Sequence, residues 1–164
     1  MDVAGLNEVP AEEARGLLRP CLDVERWIEG LIAARPFADA AACLEAARTV
    51  AHPLTPQEVD DALRHHPRIG EKPSGDSAEA DHSRREQAGL GTIGGTVEEQ
   101  LAAGNAEYER TFGRVFLIRA AGRTPEEILA ELQRRLTNPP EQELEETGQQ
   151  LEEIAVLRLE EMLR

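Results

Sequence analysis

Apolar positions along this chain fall in amphipathic stripes between regularly spaced breaks, and the punctuation reads as helix after helix. Thr55-Pro56 is followed by Glu58, Thr124-Pro125 by Glu127, and Asn138-Pro139 by Glu141. Each offers a capping oxygen, a proline at the first helical position and a carboxylate that reaches back. Asp76 with Glu79 and Thr96 with Glu99 add two more starts. The pattern predicts helices over 8–19, 23–34, 38–51, 56–65, 77–90, 96–111, 125–136 and 140–163. The stretch 66–76, HPRIGEKPSGD, reads as a loop, and 112–119, FGRVFLIR, as an apolar connector that is either extended or a short helix. Internal repeats and low-complexity tracts are absent. The expected fold is all-α, a single-domain bundle of about eight helices.

Composition supports helix over strand. Ala, Leu, Glu and Arg dominate, aromatics make up 3%, and β-branched runs are rare. The length, 164 residues, suits one domain able to bury a core without staples. Against 32 Asp plus Glu stand 18 Lys plus Arg, a net charge of −14 that argues against nucleic acid or an anionic membrane as partner. No apolar run approaches a membrane span, and the first residues lack the basic start and apolar stretch of a signal peptide. Cys21 and Cys43 form no Cys-x-x-Cys motif and read as buried thiols, so a cytoplasmic location is expected.

Gly89, Gly91 and Gly94 match G-x-G-x-x-G, yet a helix precedes them where a dinucleotide site needs a strand. They read as a helix end and a turn. The four histidines lack helical zinc spacing and lie far from either cysteine, so no metal site is expected. His66 ends a helix, precedes Pro67 and opens the Pro/Gly loop. That setting favours a surface histidine stabilised by the helix dipole, with an imidazole placed for acid–base work as the sharper alternative. On helix 77–90, Ser83, Glu86 and Gln87 share one face, while Asp81, Arg84, Arg85 and Ala88 share the other, where Asp81 and Arg85 can pair. The first face is either solvated or a polar recognition surface. Arg158 interrupts the stripe of Leu151, Ile154, Ala155 and Met162, a position that demands an anion or a route to water. Glu86 or a bound carboxylate could supply that anion. Arg119 is a second cation at the edge of apolar surface, or a plain surface arginine.

Taken together, several of these segments resemble one family. They are His66-Pro67 with Gly70, the run Ser83-Arg84-Arg85-Glu86-Gln87-Ala88-Gly89-Leu90, Asn105-x-x-Tyr108, Phe112-Gly113, Phe116-Leu117-Ile118, Leu157-Arg158-Leu159 and Arg35-Pro36-Phe37. They are similar to the corresponding segments of the 2-oxo-4-hydroxy-4-carboxy-5-ureidoimidazoline (OHCU) decarboxylases, and the likeness runs from about Leu6 to the C-terminus. One departure is Phe112-Gly113-Arg114-Val115-Phe116, where the family often has Phe-Gly-Phe-Pro-Phe.

The resemblance implies an all-helical enzyme, usually a homodimer, with no cofactor and no metal, that converts OHCU to (S)-allantoin. It implies that His66 transfers the proton and that Pro67 lines the substrate. Ser83, Glu86 and Gln87 would hold the ureido and ring groups. The backbone at Phe116, Leu117, Ile118, Arg119 and Ala120 would contact the ring, and Arg158 would complete the pocket. Glu86 beside His66 would raise the imidazole's proton affinity. The contrasting expectation is a helical interaction module without catalysis, which needs no convergence of His66, Glu86 and Arg158. A metal hydrolase would require ligands that the spacing does not offer.

Overall fold

A computed structural model describes residues 1–70, 78–88 and 95–164. The glycine run, the Asp76 start and the later half of the Pro/Gly loop fall outside these residues. The described residues form nine helices and no strand: α1 (Val3–Glu8), α2 (Ala11–Leu18), α3 (Glu25–Ala34), α4 (Ala40–Thr49), α5 (Pro56–Leu63), α6 (Ala78–Ala88), α7 (Gly95–Phe112), α8 (Pro125–Arg135) and α9 (Pro140–Met162). The all-α expectation holds. The extra helix is α1, capped by Asp2 on the Gly5 N–H at 2.9 Å and burying only Leu6. It is too short to leave a periodic signal, and Pro10 separates it from α2.

Two proline starts cap as the spacing predicts. Thr55 and Glu58 exchange hydrogen bonds of 3.1 and 2.8 Å, and Thr124 and Glu127 do the same at 3.1 and 3.3 Å. Two starts differ. α9 begins at Pro140, so Asn138 lies one residue before the N-cap position, and its amide nitrogen donates to Glu143 and Glu146. Thr96 lies inside the first turn of α7.

The chain divides into two compact units, Met1–Ala62 with Leu151–Arg164, and Leu63–Gln150. In the first, Trp27, Leu18, Ile28, Leu31 and Cys43 are all buried, and the Trp27 indole N–H donates to the Ala47 carbonyl at 2.9 Å. Arg35 Nη1 ties the carbonyls of Leu6 and Val9 at 2.8 Å each. Asn7 clamps the backbone of Phe37 from both sides at 2.9 Å. Both cysteines are buried and unbridged, and burial pushes the Cys43 thiol up to about 11.

In the second unit α7 packs on α8 so closely that a Cβ on Gly104 would stand 2.5 Å from the Leu132 side chain. Leu101, Tyr108, Phe116, Ile118, Ile128 and Leu132 form the core. Within it lies an ion pair: Arg135, 1% exposed, and Glu143, 0% exposed, meet at 2.5 Å. Tyr108 donates to the same carboxylate at 2.5 Å, and Arg135 reaches Thr147 Oγ1 at 3.2 Å and the Leu117 carbonyl at 2.6 Å. Its guanidinium also sits 4.6 Å above the Phe116 ring centroid. Burial, with donation to Glu143, holds the Tyr108 phenol above its ordinary pKa.

Replacing one member of such a pair strands the other charge. Arg135→Met should lower the unfolding free energy in urea by about 3–5 kcal/mol. A loss below about 1 kcal/mol would mean that water reaches the Glu143 carboxylate once Arg135 is gone.

Candidate active site

The 66–70 segment leaves α5 through a turn in which the His66 N–H donates to the Leu63 carbonyl at 3.1 Å. His66 and Pro67 are half-buried. The next three residues are tied down one by one. Arg68 forms an ion pair with Glu109 of α7. Ile69 is buried in the core, and its carbonyl accepts from Asn105 Nδ2 at 3.3 Å. The Gly70 N–H donates to Gln87 Oε1 on α6 at 3.3 Å. Gly70 has φ of +92°, which side chains rarely tolerate, so a glycine is required where the chain turns toward α6.

On α6 the two faces separate as the spacing predicts. Ser83 is 2% exposed, Ala80 is buried below it, and Glu86 and Gln87 are half-buried, while Asp81, Arg84 and Arg85 are exposed. The ion pair on the outer face differs from expectation: Asp81 pairs with Arg84, three residues on, and Arg85 instead approaches the Asp81 carbonyl at 3.5 Å. The i, i+3 pair leaves the carboxylate satisfied one residue earlier than the anticipated i, i+4 pair. Gln87 has its oxygen engaged by the Gly70 N–H, and its amide nitrogen has no partner among the described residues.

The connector between α7 and α8 is neither strand nor helix over 115–120. Gly113, at φ of +73°, ends α7, and Phe116, Leu117, Ile118 and Ala120 are buried. Its backbone is pinned at alternate points. Leu117 O accepts from Arg135, the Arg119 N–H donates to Gln150 Oε1 at 2.9 Å, and Arg119 O accepts from Arg123 Nε at 3.0 Å. The Arg119 side chain folds back on the Ala121 carbonyl at 3.1 Å.

Arg158 belongs to the first unit. It is 2% exposed on a stripe with Ile154 and Ala155, and its Nη1 donates to the Pro20 carbonyl at 3.0 Å. The second unit thus brings together the His66 segment, the inner face of α6 and the face of α7 that carries Asn105. Among the described residues, no three His, Cys, Asp or Glu side chains are grouped to hold a metal ion.

Sequence reasoning missed Arg135, Glu143 and Gln150, although the signal was present. Arg135 continues the stripe of Ile128, Leu129 and Leu132 just as Arg158 continues its own. Asn105 was visible only as part of a motif, and its Oδ1 is buried without a partner among the described residues.

A sequence model of the family described as OHCU decarboxylase matches residues 7–160. The chain is 35% identical over 103 residues to the uric acid degradation bifunctional protein TTL of Arabidopsis thaliana, covering 60% of this chain and 32% of that protein. It is 25% identical over 167 residues to the uric acid degradation bifunctional protein of Bacillus sp. (strain TB-90), covering 100% of this chain and 32% of the relative. The chain therefore spans about a third of the length of these relatives. A crystal structure of OHCU decarboxylase in the presence of (S)-allantoin shares the fold, with a TM-score of 0.72 at 24% identity over 94% of this chain and 99% of that one.

The strained turn at Gly70 gives a direct check on how tightly the His66 segment is held. Gly70→Ala should cost about 1–3 kcal/mol in urea unfolding, because the new Cβ meets an unfavourable φ. An unchanged midpoint would show that the segment relaxes freely.

Proposed function

The chain belongs to the OHCU decarboxylase family, and from that premise we propose that it removes CO₂ from OHCU to give (S)-allantoin in urate degradation. The observation that carries this reading is the stitching of the His66 segment to Gln87 on the polar, inward face of α6. The reaction runs without a cofactor or metal. The protein works in the cytoplasm as a homodimer, and its whole chain acts as one catalytic domain. Among the described residues no helix is long and apolar enough to cross a membrane, which is compatible with that location.

The chemistry assigns a task to each group. Loss of CO₂ leaves an electron pair on C4, which the adjacent ring C=N takes up to give an enol, and the 4-hydroxyl becomes a carbonyl as C5 accepts a proton. The site then needs a cation for the departing carboxylate, hydrogen bonds to the developing oxyanion, and a proton delivered to one face. In this reading Arg158 binds the carboxylate, and His66, oriented by Glu86, delivers the proton. Ser83 and Gln87 hold the ureido group, Pro67 lines the pocket, and the 116–120 backbone contacts the ring. Because the net charge is −14, local arginines must outweigh the field of the whole chain to admit an anion.

The direct test generates OHCU from urate with urate oxidase and hydroxyisourate hydrolase, then follows its decay and the circular dichroism of the product. The wild type should accelerate decay and yield one enantiomer. His66→Asn should abolish the acceleration with helical content intact, and retention of most activity would assign proton transfer elsewhere.

Arg158 separates a substrate clamp from a structural ion-pair partner. Arg158→Lys keeps the charge but loses the planar fork, so kcat/KM on OHCU generated in situ should fall about tenfold. Arg158→Met should cost about 1–3 kcal/mol, the penalty for leaving the Pro20 carbonyl unpaired. A loss of about 3–5 kcal/mol with unchanged kcat/KM on OHCU per folded molecule would mean a stranded buried carboxylate and would overturn the clamp.

A further inference from the structure

The 117–119 backbone is held by two side chains that the decarboxylase reading does not use. Leu117 O accepts from Arg135 at 2.6 Å, and the Arg119 N–H donates to Gln150 Oε1 at 2.9 Å. Both intervening peptides are trans. In a planar trans peptide the C=O and N–H point in opposite directions. With Leu117 O aimed at Arg135, the Ile118 N–H points away from that guanidinium. With the Arg119 N–H aimed at Gln150, the Ile118 C=O points away from that amide.

The two ties belong to one layer. Glu143, Thr147 and Gln150 stand at i, i+4 and i+7 on one face of α9, and Arg135 is bonded to the first two. The Ile118 donor and acceptor are therefore both turned away from that layer. Ile118 is 3% exposed, and its backbone groups have no partner among the described residues. Buried backbone groups are rarely left unpaired, so this arrangement suits a ligand carrying its own adjacent donor and acceptor. A ureide ring has that pattern.

We propose that Arg135 and Gln150 are positioning residues, which fix the two peptides flanking Ile118 so that its N–H and C=O are presented together to the ureide ring of the substrate. This rests on the decarboxylase reading above. Arg135 is bound into a buried ion pair, so its variants risk losing the fold. Gln150 is half-buried and uncharged, and its side chain can be changed without stranding a charge.

Gln150→Leu removes the acceptor from the Arg119 N–H, whereas Gln150→Glu keeps an oxygen there. Three measurements are made on the full chain: kcat/KM on OHCU generated in situ, the Kd of (S)-allantoin, and amide hydrogen exchange at Arg119. The Leu variant should lose roughly fivefold to tenfold in both kcat/KM and affinity, the worth of about one hydrogen bond. Its Arg119 amide should lose protection while Tm stays near wild type. The Glu variant should restore all three values to within about twofold of wild type. An active wild type with an equally active, equally tight-binding Leu variant overturns the positioning role alone. A fall in Tm with affinity per folded molecule unchanged does the same. A wild type that does not accelerate OHCU decay overturns the decarboxylase reading and this role with it.

Discussion

A guanidinium and a carboxylate taken out of water must have their hydrogen-bonding atoms satisfied, and in the second unit that demand is met from four elements. Arg135 comes from α8, Glu143 and Thr147 from α9, Tyr108 from α7, and Leu117 O from the connector between α7 and α8. Desolvating such a pair costs several kcal/mol per ion, and the attraction offsets this only when the geometry leaves little unsatisfied. Recruiting a backbone carbonyl is part of that geometry. The connector is therefore held by an electrostatic requirement as well as by the packing of Phe116 and Ile118. This is why a segment with neither helical nor strand hydrogen bonds keeps a defined course through the interior.

The His66 segment is anchored by a different kind of bond. Its ties to Asn105 and Gln87 are single hydrogen bonds of 3.3 Å, and its ion pair to Glu109 is partly exposed. Exposed ion pairs contribute little, about 0–1 kcal/mol. The second unit thus sets a firmly braced wall at 116–120 beside a more lightly held histidine segment. That division suits a reaction in which the ring must be fixed while a proton moves.

Local signals carried much of this in the sequence. The caps at Thr55 and Thr124 work through neighbours three residues away, so they were legible without tertiary structure. That Ser83, Glu86 and Gln87 share one face of α6 followed from spacing, because helix geometry fixes them relative to one another, whereas the inward turn of that face came from the fold. Spacing likewise set Arg158 on an apolar stripe, and the fold buried it there. Where expectation failed, competing partners of similar strength were available. Asp81 can pair with Arg84 or with Arg85, and a helix start can shift by one residue, as at Pro140 after Asn138. Energies within a few tenths of a kcal/mol separate such choices.

What the sequence by itself determined is the all-α class, most helix boundaries, the polar face of α6 and the motifs that mark the family. All of these depend on contacts within a few residues, or on patterns that survive as words. The tertiary structure alone decided that Arg135 would meet Glu143, that Leu117 would give up its carbonyl to that pair, and that Gly70 would turn its N–H toward Gln87. Those partners are separated by 8, 18 and 17 residues, and all three pairings join different elements. Nothing in local propensity distinguishes them, because a buried polar group takes its partner from whatever the packing of the apolar stripes brings within reach.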